Sequence, residues 1–229
     1  MKAIRLLILF VFLATTAFCA TPSTKSSNLP KFQDNAYTNE QAEQWNKKGK
    51  KYKNPFKKGT YKRFLASKTY PKTYDVWKDV KLLDSATAPD LSLVIYLGKQ
   101  RAVLMIKGRV AMDFPICTGK IQHETPTGEY TILEKDIDHE SNKYGNLHNN
   151  RGNKIKSNFT IGKEKIPKGI TFKGAPMPFF MRLTYGGIGL HVGRVARVPS
   201  SHGCIRVPRE SCKIVYSKIK EGTPVSIVP

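Results

Sequence analysis

The sequence predicts a mainly β domain over residues 86–229, with one helix near its C-terminal end. Short apolar runs rich in β-branched residues follow one another from Leu91 onward, and turns that contain glycine separate them. Because these runs are closely spaced and no helical segment intervenes, neighbouring runs are expected to pair as an antiparallel meander. The chain has 229 residues, of which 40% are hydrophobic, so it can bury the core of one domain, and disorder throughout is excluded.

The individual strands are predicted from apolar runs that lie between turn residues. Residues 91–97 and 101–106 flank Gly98-Lys99-Gln100, a spacing typical of a hairpin. Gly108 then turns the chain into the next run. Further strands are predicted at residues 110–117, 130–133, 179–184, 188–192 and 224–228.

One helix is predicted at residues 209–220. Proline is favoured at the start of a helix, and Pro208 lies there. Cys212 and Val215 recur at helical spacing on one apolar face, and Gly222 ends the segment.

Residues 134–160 form the longest polar segment of the predicted domain. They are rich in Asn, Lys and Gly. Long connections inside a compact domain are uncommon and are often functional. We therefore expect a long excursion that is a candidate lid.

Residues 1–20 have the layout of a secretory signal peptide. Lys2 and Arg5 give a positively charged start. Residues 6–14 form an unbroken apolar run, and small residues follow at 15–17. Nine apolar residues are too few to span a bilayer, so no transmembrane span is expected after signal removal. The mature protein is expected to be exported to the periplasm or cell envelope, with no nucleic-acid partner.

The processing of this segment stays open between three alternatives. A cut after Cys19 places Ala17 and Cys19 where small residues are required. A cut after Ala20 places the bulky Phe18 at one of those positions. Lipid modification of Cys19 meets the same difficulty with Phe18.

The chain is strongly basic, with 39 Lys and Arg residues against 17 acidic ones and a formal net charge of +22. This excess predicts an extended anionic partner. Residues 21–85 are polar and poor in aliphatic side chains, so they are predicted to form a basic arm or linker. Nine basic residues, interleaved with aromatic ones, and no acidic residue lie between Lys47 and Arg63. A solvated linker is favoured over the alternative, attachment to an anionic cell-envelope polymer or membrane surface.

The cysteine count directs attention to one thiol. If Cys19 leaves with the signal, three cysteines remain, so at least one stays free in an oxidising compartment. Cys212 lies on the apolar helix face, where a buried structural thiol is expected. Cys117 ends a strand without a catalytic partner nearby in sequence. Cys204, by contrast, has two histidines and an arginine within thirteen positions.

The residues around Cys204 suit a nucleophilic thiol. A thiol attacks as the thiolate and, with an ordinary pKa of about 8.5, needs a neighbouring base or positive charge. His191, His202 and Arg206 are the candidates. Gly203 allows close approach of the backbone, and the amides from His202 to Cys204 could form an oxyanion hole.

Two alternatives compete with this interpretation. The same residues could be ordinary core and loop residues, with His202 bonded to a backbone carbonyl. They could also form a zinc site of His191, His202 and Cys204. The usual close Cys or His pair is missing, so no metal is expected.

The segment Ser201-His202-Gly203-Cys204-Ile205-Arg206, with His191 upstream, resembles the signature of the L,D-transpeptidase catalytic domain, the YkuD type. Three further segments resemble the same family, and the likeness covers about residues 90 to 229. They are the opening strands over residues 93–119, Thr125-Pro126-Thr127-Gly128-Glu129-Tyr130, and residues 173–181 before the upstream histidine.

The resemblance implies a β-sandwich of mixed sheets with one late helix. It implies a transferase of peptidoglycan biosynthesis, and so a role in cell wall organization and cell shape. The nucleophile attacks a peptidoglycan tetrapeptide stem, releases D-alanine and passes the acyl group to an amine of a neighbouring stem. No metal or organic cofactor is implied.

Carried onto this sequence, the resemblance makes Cys204 the nucleophile and His191 its general acid and base. Ser201, His202 and Gly203 would shape the loop and the oxyanion hole. The resemblance gives Arg206 a binding role, in which it would help to hold the site or bind a substrate carboxylate.

Two features distinguish this chain from many family members. Only nine residues separate His191 from Ser201, and Arg206 stands where many members carry Asn. Both resemble a branch with proline before the motif. The alternatives that stay open are an L,D-carboxypeptidase, another thiol acyltransferase such as a sortase-like enzyme or cysteine peptidase, and a non-catalytic wall-binding protein.

Overall fold

A computed structural model describes residues 53–85, 90–196 and 198–229, all within one compact unit that spans Asp34–Pro229. The helices are α1 (Tyr61–Leu65), α2 (Val80–Asp84) and α3 (Arg209–Lys218). The strands are β1 (Trp77–Lys78), β2 (Leu91–Tyr96), β3 (Arg101–Ile106), β4 (Arg109–Pro115), β5 (Gly128–Thr131), β6 (Glu134–Asp136), β7 (Glu140–His148), β8 (Lys154–Thr160), β9 (Thr171–Pro176), β10 (Phe180–Arg182), β11 (Gly189–Val192), β12 (Ile205–Val207) and β13 (Pro224–Val228).

The strands form three sheets. The largest has the order β1-β4-β3-β2-β13-β5, the second β12-β11-β10-β6, and the third β8-β7-β9. Strands β2, β3 and β4 pair antiparallel, as the meander predicts, whereas β13 pairs parallel to β2 and β12 pairs parallel to β11. The prediction of a mainly β domain with mixed sheets and one late helix is confirmed.

One hydrophobic core joins the two larger sheets and α3. It includes Leu93 and Leu104 from the first sheet, Leu190 and Ile205 from the second, and Val215 from α3. Because β11 and β12 are both buried in this core, the loop that connects them is held at both ends by rigid strands. The predicted helix ends two residues early, since the backbone of Ile219 is extended.

The polar segment 134–160 forms strands rather than an irregular excursion. It contains β6, β7 and β8, and β7 is the central strand of the third sheet. The hydropathy of the segment does not indicate these strands, because few side chains of the sheet are buried. Leu147 and Phe159 are two of the buried ones. Backbone hydrogen bonds to β9 and β8, rather than an apolar face, hold the strand in place.

Residues 53–85, within the predicted arm, pack on the domain. Strand β1 pairs antiparallel with β4 at the edge of the largest sheet. Thr60 caps α1 and Asp79 caps α2 through side-chain bonds to backbone amides. The predicted signal peptide and residues 21–52 lie outside the described residues. In the described residues, no helix is long and apolar enough to cross a membrane.

Candidate active site

His191 lies on β11, where β10 pairs with it on one side and β12 on the other. His191 is buried, with 7% of its surface exposed. The ring nitrogen Nδ1 is 2.9 Å from the carbonyl oxygen of Val192, and a carbonyl can only accept, so Nδ1 carries the proton. The other nitrogen, Nε2, is therefore the basic one. The Val192 carbonyl therefore orients the ring.

Burial holds the His191 imidazole in its neutral form. Desolvation lowers its pKa from 6.5 to about 4, and the electrostatic influence of Arg206 and His139 acts in the same direction. The bond to the Val192 carbonyl opposes this shift. At neutral pH the ring is therefore an uncharged base.

Cys204 lies in the turn just before β12, and its thiol is half-buried. Its Sγ donates to the Gly187 carbonyl oxygen at 3.3 Å. Burial raises the pKa of this thiol, and the Gly189 amide and the guanidinium groups of Arg206 and Arg182 oppose that shift. The resting thiol and imidazole are therefore both uncharged, an arrangement that suits proton transfer when a substrate enters.

The loop before Cys204 is held by hydroxyl groups. Ser201 Oγ donates to the Cys204 carbonyl and accepts from the Gly203 amide at 3.2 Å. Thr125 Oγ1 donates to the Gly203 carbonyl at 2.7 Å. Gly203 has φ +113°, and a Cβ there would lie 2.8 Å from Ile188 Cδ1, so glycine is required.

The hydrogen bonds of this loop limit which backbone amides are available for an oxyanion hole. The Gly203 amide is engaged by Ser201, whereas the His202 and Cys204 amides have no hydrogen-bond partner within the described residues. Those two amides are the ones left for a developing oxyanion. The oxyanion-hole role of this turn stays a prediction.

His202 is exposed and lies between two aromatic rings. Its ring centroid is 4.7 Å from that of Tyr144 in a stacked arrangement and 4.9 Å from that of His123. Its pKa is lowered by partial burial and by neighbouring positive charges that include Lys120. His202 therefore has ring contacts on the loop, and the described residues include no backbone carbonyl bonded to it.

Arg206 lies on β12, where its backbone exchanges two hydrogen bonds with Cys117. Its aliphatic stem packs over Gly193, where a Cβ would lie 2.8 Å from Arg206 Cγ. In the described part of the chain, no carboxylate forms an ion pair with its guanidinium. The cation is thus available for a ligand.

Cys204, His191, Ser201, His202 and Arg206 all line one cavity of about 890 Å³. Gly203, the remaining predicted site residue, is not part of the lining. The volume is typical of a small-molecule or peptide site. No residue of the described lining is acidic, and the positive side chains are Lys143, Arg182 and Arg206. The cavity therefore favours an anionic ligand.

Sequence reasoning missed much of the opposite wall. Strands β7 and β8 contribute Tyr144, Asn146 and Asn158, and the segment before β7 contributes His139. Polar residues in a long polar segment gave no indication of this, because only the pairing of β7 with β9 brings them to the cavity.

The two other cysteines of the described residues, Cys117 and Cys212, are free and buried. Cys117 Sγ is 3.0 Å from Ser200 Oγ. Cys212 lies in the core, where burial raises the pKa of its thiol to about 12. The thiol is therefore protonated at neutral pH, as expected for a structural cysteine. Among the described residues, no group of three His, Cys, Asp or Glu side chains is arranged to hold a metal ion.

The chain was compared with known proteins. The profile of the L,D-transpeptidase catalytic domain (YkuD) matches residues 90–227. No curated protein matches the chain. Similar solved structures include an L,D-transpeptidase from Mycobacterium smegmatis, at 20% identity and TM-score 0.47, covering 61% of this chain and 59% of that one. Another is an L,D-transpeptidase C442S mutant from Enterococcus faecium, at 22% identity and TM-score 0.43, covering 62% and 50%.

The chain thus spans about half to three fifths of the length of these solved structures. Their similarity is weak, and the profile, which spans more than half of this chain, decides the assignment. The motif that includes His191 and Cys204 lies within the matched residues. The protein belongs to the L,D-transpeptidase catalytic-domain family.

Proposed function

We propose that this protein is a peptidoglycan L,D-transpeptidase. Cys204 Sγ attacks the carbonyl before the terminal D-alanine of a tetrapeptide stem. His191 takes the thiol proton and gives it to the leaving amine, so D-alanine departs and a thioester remains. An amine of a neighbouring stem then attacks the thioester, forms the cross-link and restores the thiol.

One observation carries this proposal. The half-buried thiol of Cys204 and the buried imidazole of His191 line the same cavity, and the Val192 carbonyl holds the ring with Nε2 as its basic nitrogen. A general base of this kind activates a thiol that is protonated at rest. The amides of His202 and Cys204 would stabilise the oxyanion.

The cavity charge supports a stem peptide as the donor. Stem peptides carry carboxylates, and Arg206 and Arg182 provide positive charge in a lining without acidic residues. Arg182 already forms an ion pair with Glu134, with Nε 2.8 Å from Oε2. Arg206 has no ion pair in the described residues, so it is the stronger candidate to bind a substrate carboxylate.

The decisive experiment incubates the mature protein with a tetrapeptide-stem fragment and follows intact protein mass together with released D-alanine. We expect an acyl adduct on Cys204 and stoichiometric D-alanine. Cys204→Ala and His191→Ala should abolish both. Cys212→Ser is the matched control, since Cys212 is buried in the core and should affect stability alone.

The products distinguish the alternatives. A dimer mass supports transpeptidation, whereas a tripeptide without dimer indicates an L,D-carboxypeptidase. Transfer from polypeptide donors alone would indicate a sortase-like enzyme or a cysteine peptidase. Normal turnover by Cys204→Ala, or neither adduct nor D-alanine from folded, reduced protein, would overturn the proposal and favour a wall-binding protein.

We also propose that the protein is exported and retained at the cell envelope through its basic segment. Lys53, Lys57, Lys58 and Lys62 are exposed beside the folded domain. Deleting the segment would remove folded contacts, so neutralising these four lysines with glutamine is the cleaner test. Weaker sedimentation with purified cell wall, in salt-dependent fashion, is expected; unchanged sedimentation would contradict retention by these residues.

A further inference from the structure

In the described part of the chain, four histidines line the catalytic cavity, and one of them, His139, is bonded to a carboxylate. His139 lies between β6 and β7 and lines the same cavity as Cys204. Its Nδ1 is 2.9 Å from Asp136 Oδ2, and the His139 side chain is 20% exposed. Asp136 itself is absent from the cavity lining. The carboxylate thus stands behind the ring and leaves Nε2 as the nitrogen for the cavity.

The imidazole of His139 is held in place by two contacts, the bond to Asp136 and a stacked aromatic ring. It stacks on Phe180 with ring centroids 4.2 Å apart and an angle of 10° between planes. Phe180 in turn pairs through its backbone with Asp136. The His139 carbonyl accepts a bond from the Met177 amide at 2.7 Å, so its backbone is fixed as well. An imidazole packed in this way is oriented for proton transfer rather than free to rotate.

His139 is also within electrostatic reach of the reaction centre. A positive charge on His139 lowers the pKa of His191, so the two rings interact electrostatically. The other charged and titratable groups around His139 lie on β6, in the turn that follows it and on the elements packed against both. They are Glu134, Lys135, Asp136, Asp138, Arg182, His191, Arg206 and Tyr216.

The second half-reaction has a proton requirement that one histidine does not meet. An acceptor alkyl amine has a pKa of about 10, so roughly one molecule in a thousand is neutral at pH 7. The ammonium must lose one proton before its nitrogen can attack the thioester. The attacking nitrogen then loses another as the amide forms. His191 can receive the second proton and return it to the departing Cys204 thiolate.

We propose that His139, oriented by Asp136, accepts the first proton from the acceptor ammonium in the transfer step. This inference rests on the proposed function. The nitrogen–carbon bond of the amide forms, the carbon–sulfur bond of the thioester breaks, and the second proton returns through His191 to Cys204. The first proton stays on the His139–Asp136 pair, where the carboxylate stabilises the imidazolium, and then passes to water.

The test separates the two half-reactions in His139→Gln. The first readout is the burst of D-alanine and the acyl adduct on Cys204, which should stay close to wild type and shows that the variant is folded. The second is the rate of dimer formation from an acceptor stem with a side-chain amine. At pH 7 this rate should fall on the order of a hundredfold, the typical contribution of a general base.

The pH profile provides the readout that a structural role would not change. As pH rises toward the pKa of the amine, solution supplies neutral acceptor, so the deficit of His139→Gln should shrink progressively. Asp136→Asn should show a smaller deficit with the same pH trend. His148→Gln is the matched control, since it removes an imidazole from β7 that does not line the cavity.

The outcomes distinguish failure of the His139 role from failure of the proposed function. Dimer formation by His139→Gln at the wild-type rate, or a deficit of equal size at every pH, would overturn the role of His139. Loss of the D-alanine burst in this variant would overturn it too, because His139 would then act in the first step. Absence of adduct in the wild-type protein would instead overturn the proposed function.

Discussion

His191 and Cys204 are uncharged partners at rest because both are buried. Burial lowers the pKa of the imidazole and raises that of the thiol, whereas a preformed thiolate–imidazolium pair would require the opposite shifts. In the proposed mechanism, activation therefore accompanies substrate binding, when the amides of the turn receive the developing charge.

If His191 is the general base of the proposed reaction, its protonation sets the acid limb of the pH profile. Because its pKa is about 4 rather than 6.5, the imidazole stays a base as the pH falls through 6 and 5. We expect kcat/KM for D-alanine release to be nearly constant from neutral pH to about pH 5 and to fall tenfold per unit below about pH 4. Rates measured between about pH 3 and pH 8, with circular dichroism as the folding control, test this. An acid limb near 6.5 would contradict it.

At the same scale, the residues that sequence could identify are those inside the motif. Cys204, His191 and Arg206 belong to a short segment with an unusual combination of thiol, imidazole and glycine. His139 and Arg182 had no such indication, because they reach the cavity from the turn before β7 and from β10, which lie apart in sequence.

Among the elements, the sheet β8-β7-β9 depends on close backbone approach. A Cβ at Gly145 would overlap the Lys173 carbonyl oxygen of β9, and one at Gly174 would overlap the Ser141 carbonyl oxygen of β7. Glycine at these two positions lets the strands pair while their polar side chains face the cavity. This explains why a segment without an apolar face still forms a defined wall.

Gly145→Ala tests that wall. The new methyl group must push β7 away from β9, which we expect to lower the free energy of unfolding by about 1–3 kcal/mol. D-alanine release should fall as well, since neighbouring Tyr144 and Asn146 line the cavity. Thermal unfolding and the D-alanine assay give both effects.

Gly98→Ala is the control for this change. A Cβ at Gly98 meets its nearest neighbour, the backbone of Pro229, at an ordinary 3.7 Å. This variant should keep near wild-type stability and activity. Equal behaviour of the two variants would mean that the β7–β9 contact is not a constraint.

Over the whole described chain, a buried ion pair ties residues 53–85 to the largest sheet. Arg101 Nε is 2.7 Å from Asp113 Oδ1, and both side chains are fully buried. Asp113 Oδ2 accepts from the hydroxyl groups of Tyr61 at 2.7 Å and Tyr70 at 3.2 Å. Arg101 also donates to the backbone carbonyls of Thr73 and Asp75. The segment therefore covers, and hydrogen-bonds to, an ion pair that β3 and β4 bury.

Asp113→Asn should destabilise the whole domain. It leaves the buried Arg101 guanidinium without a counter-charge, which typically costs about 3–5 kcal/mol. Denaturant unfolding should show a lower midpoint. Glu210→Gln, which removes an exposed ion pair with Lys213 at 3.3 Å, should change stability by less than about 1 kcal/mol. If both variants were equally stable, the buried pair would not anchor this segment.

The sequence by itself determined the mainly β class, the late helix, the family resemblance and the pair His191 and Cys204. Apolar runs, turn glycines and a contiguous motif are local in sequence, so they can be recognised without coordinates. Only the tertiary structure decided the parallel pairings, the polar third sheet, the packing of residues 53–85 and the position of His139. These depend on backbone pairing and buried polar contacts between distant residues, which hydropathy does not report.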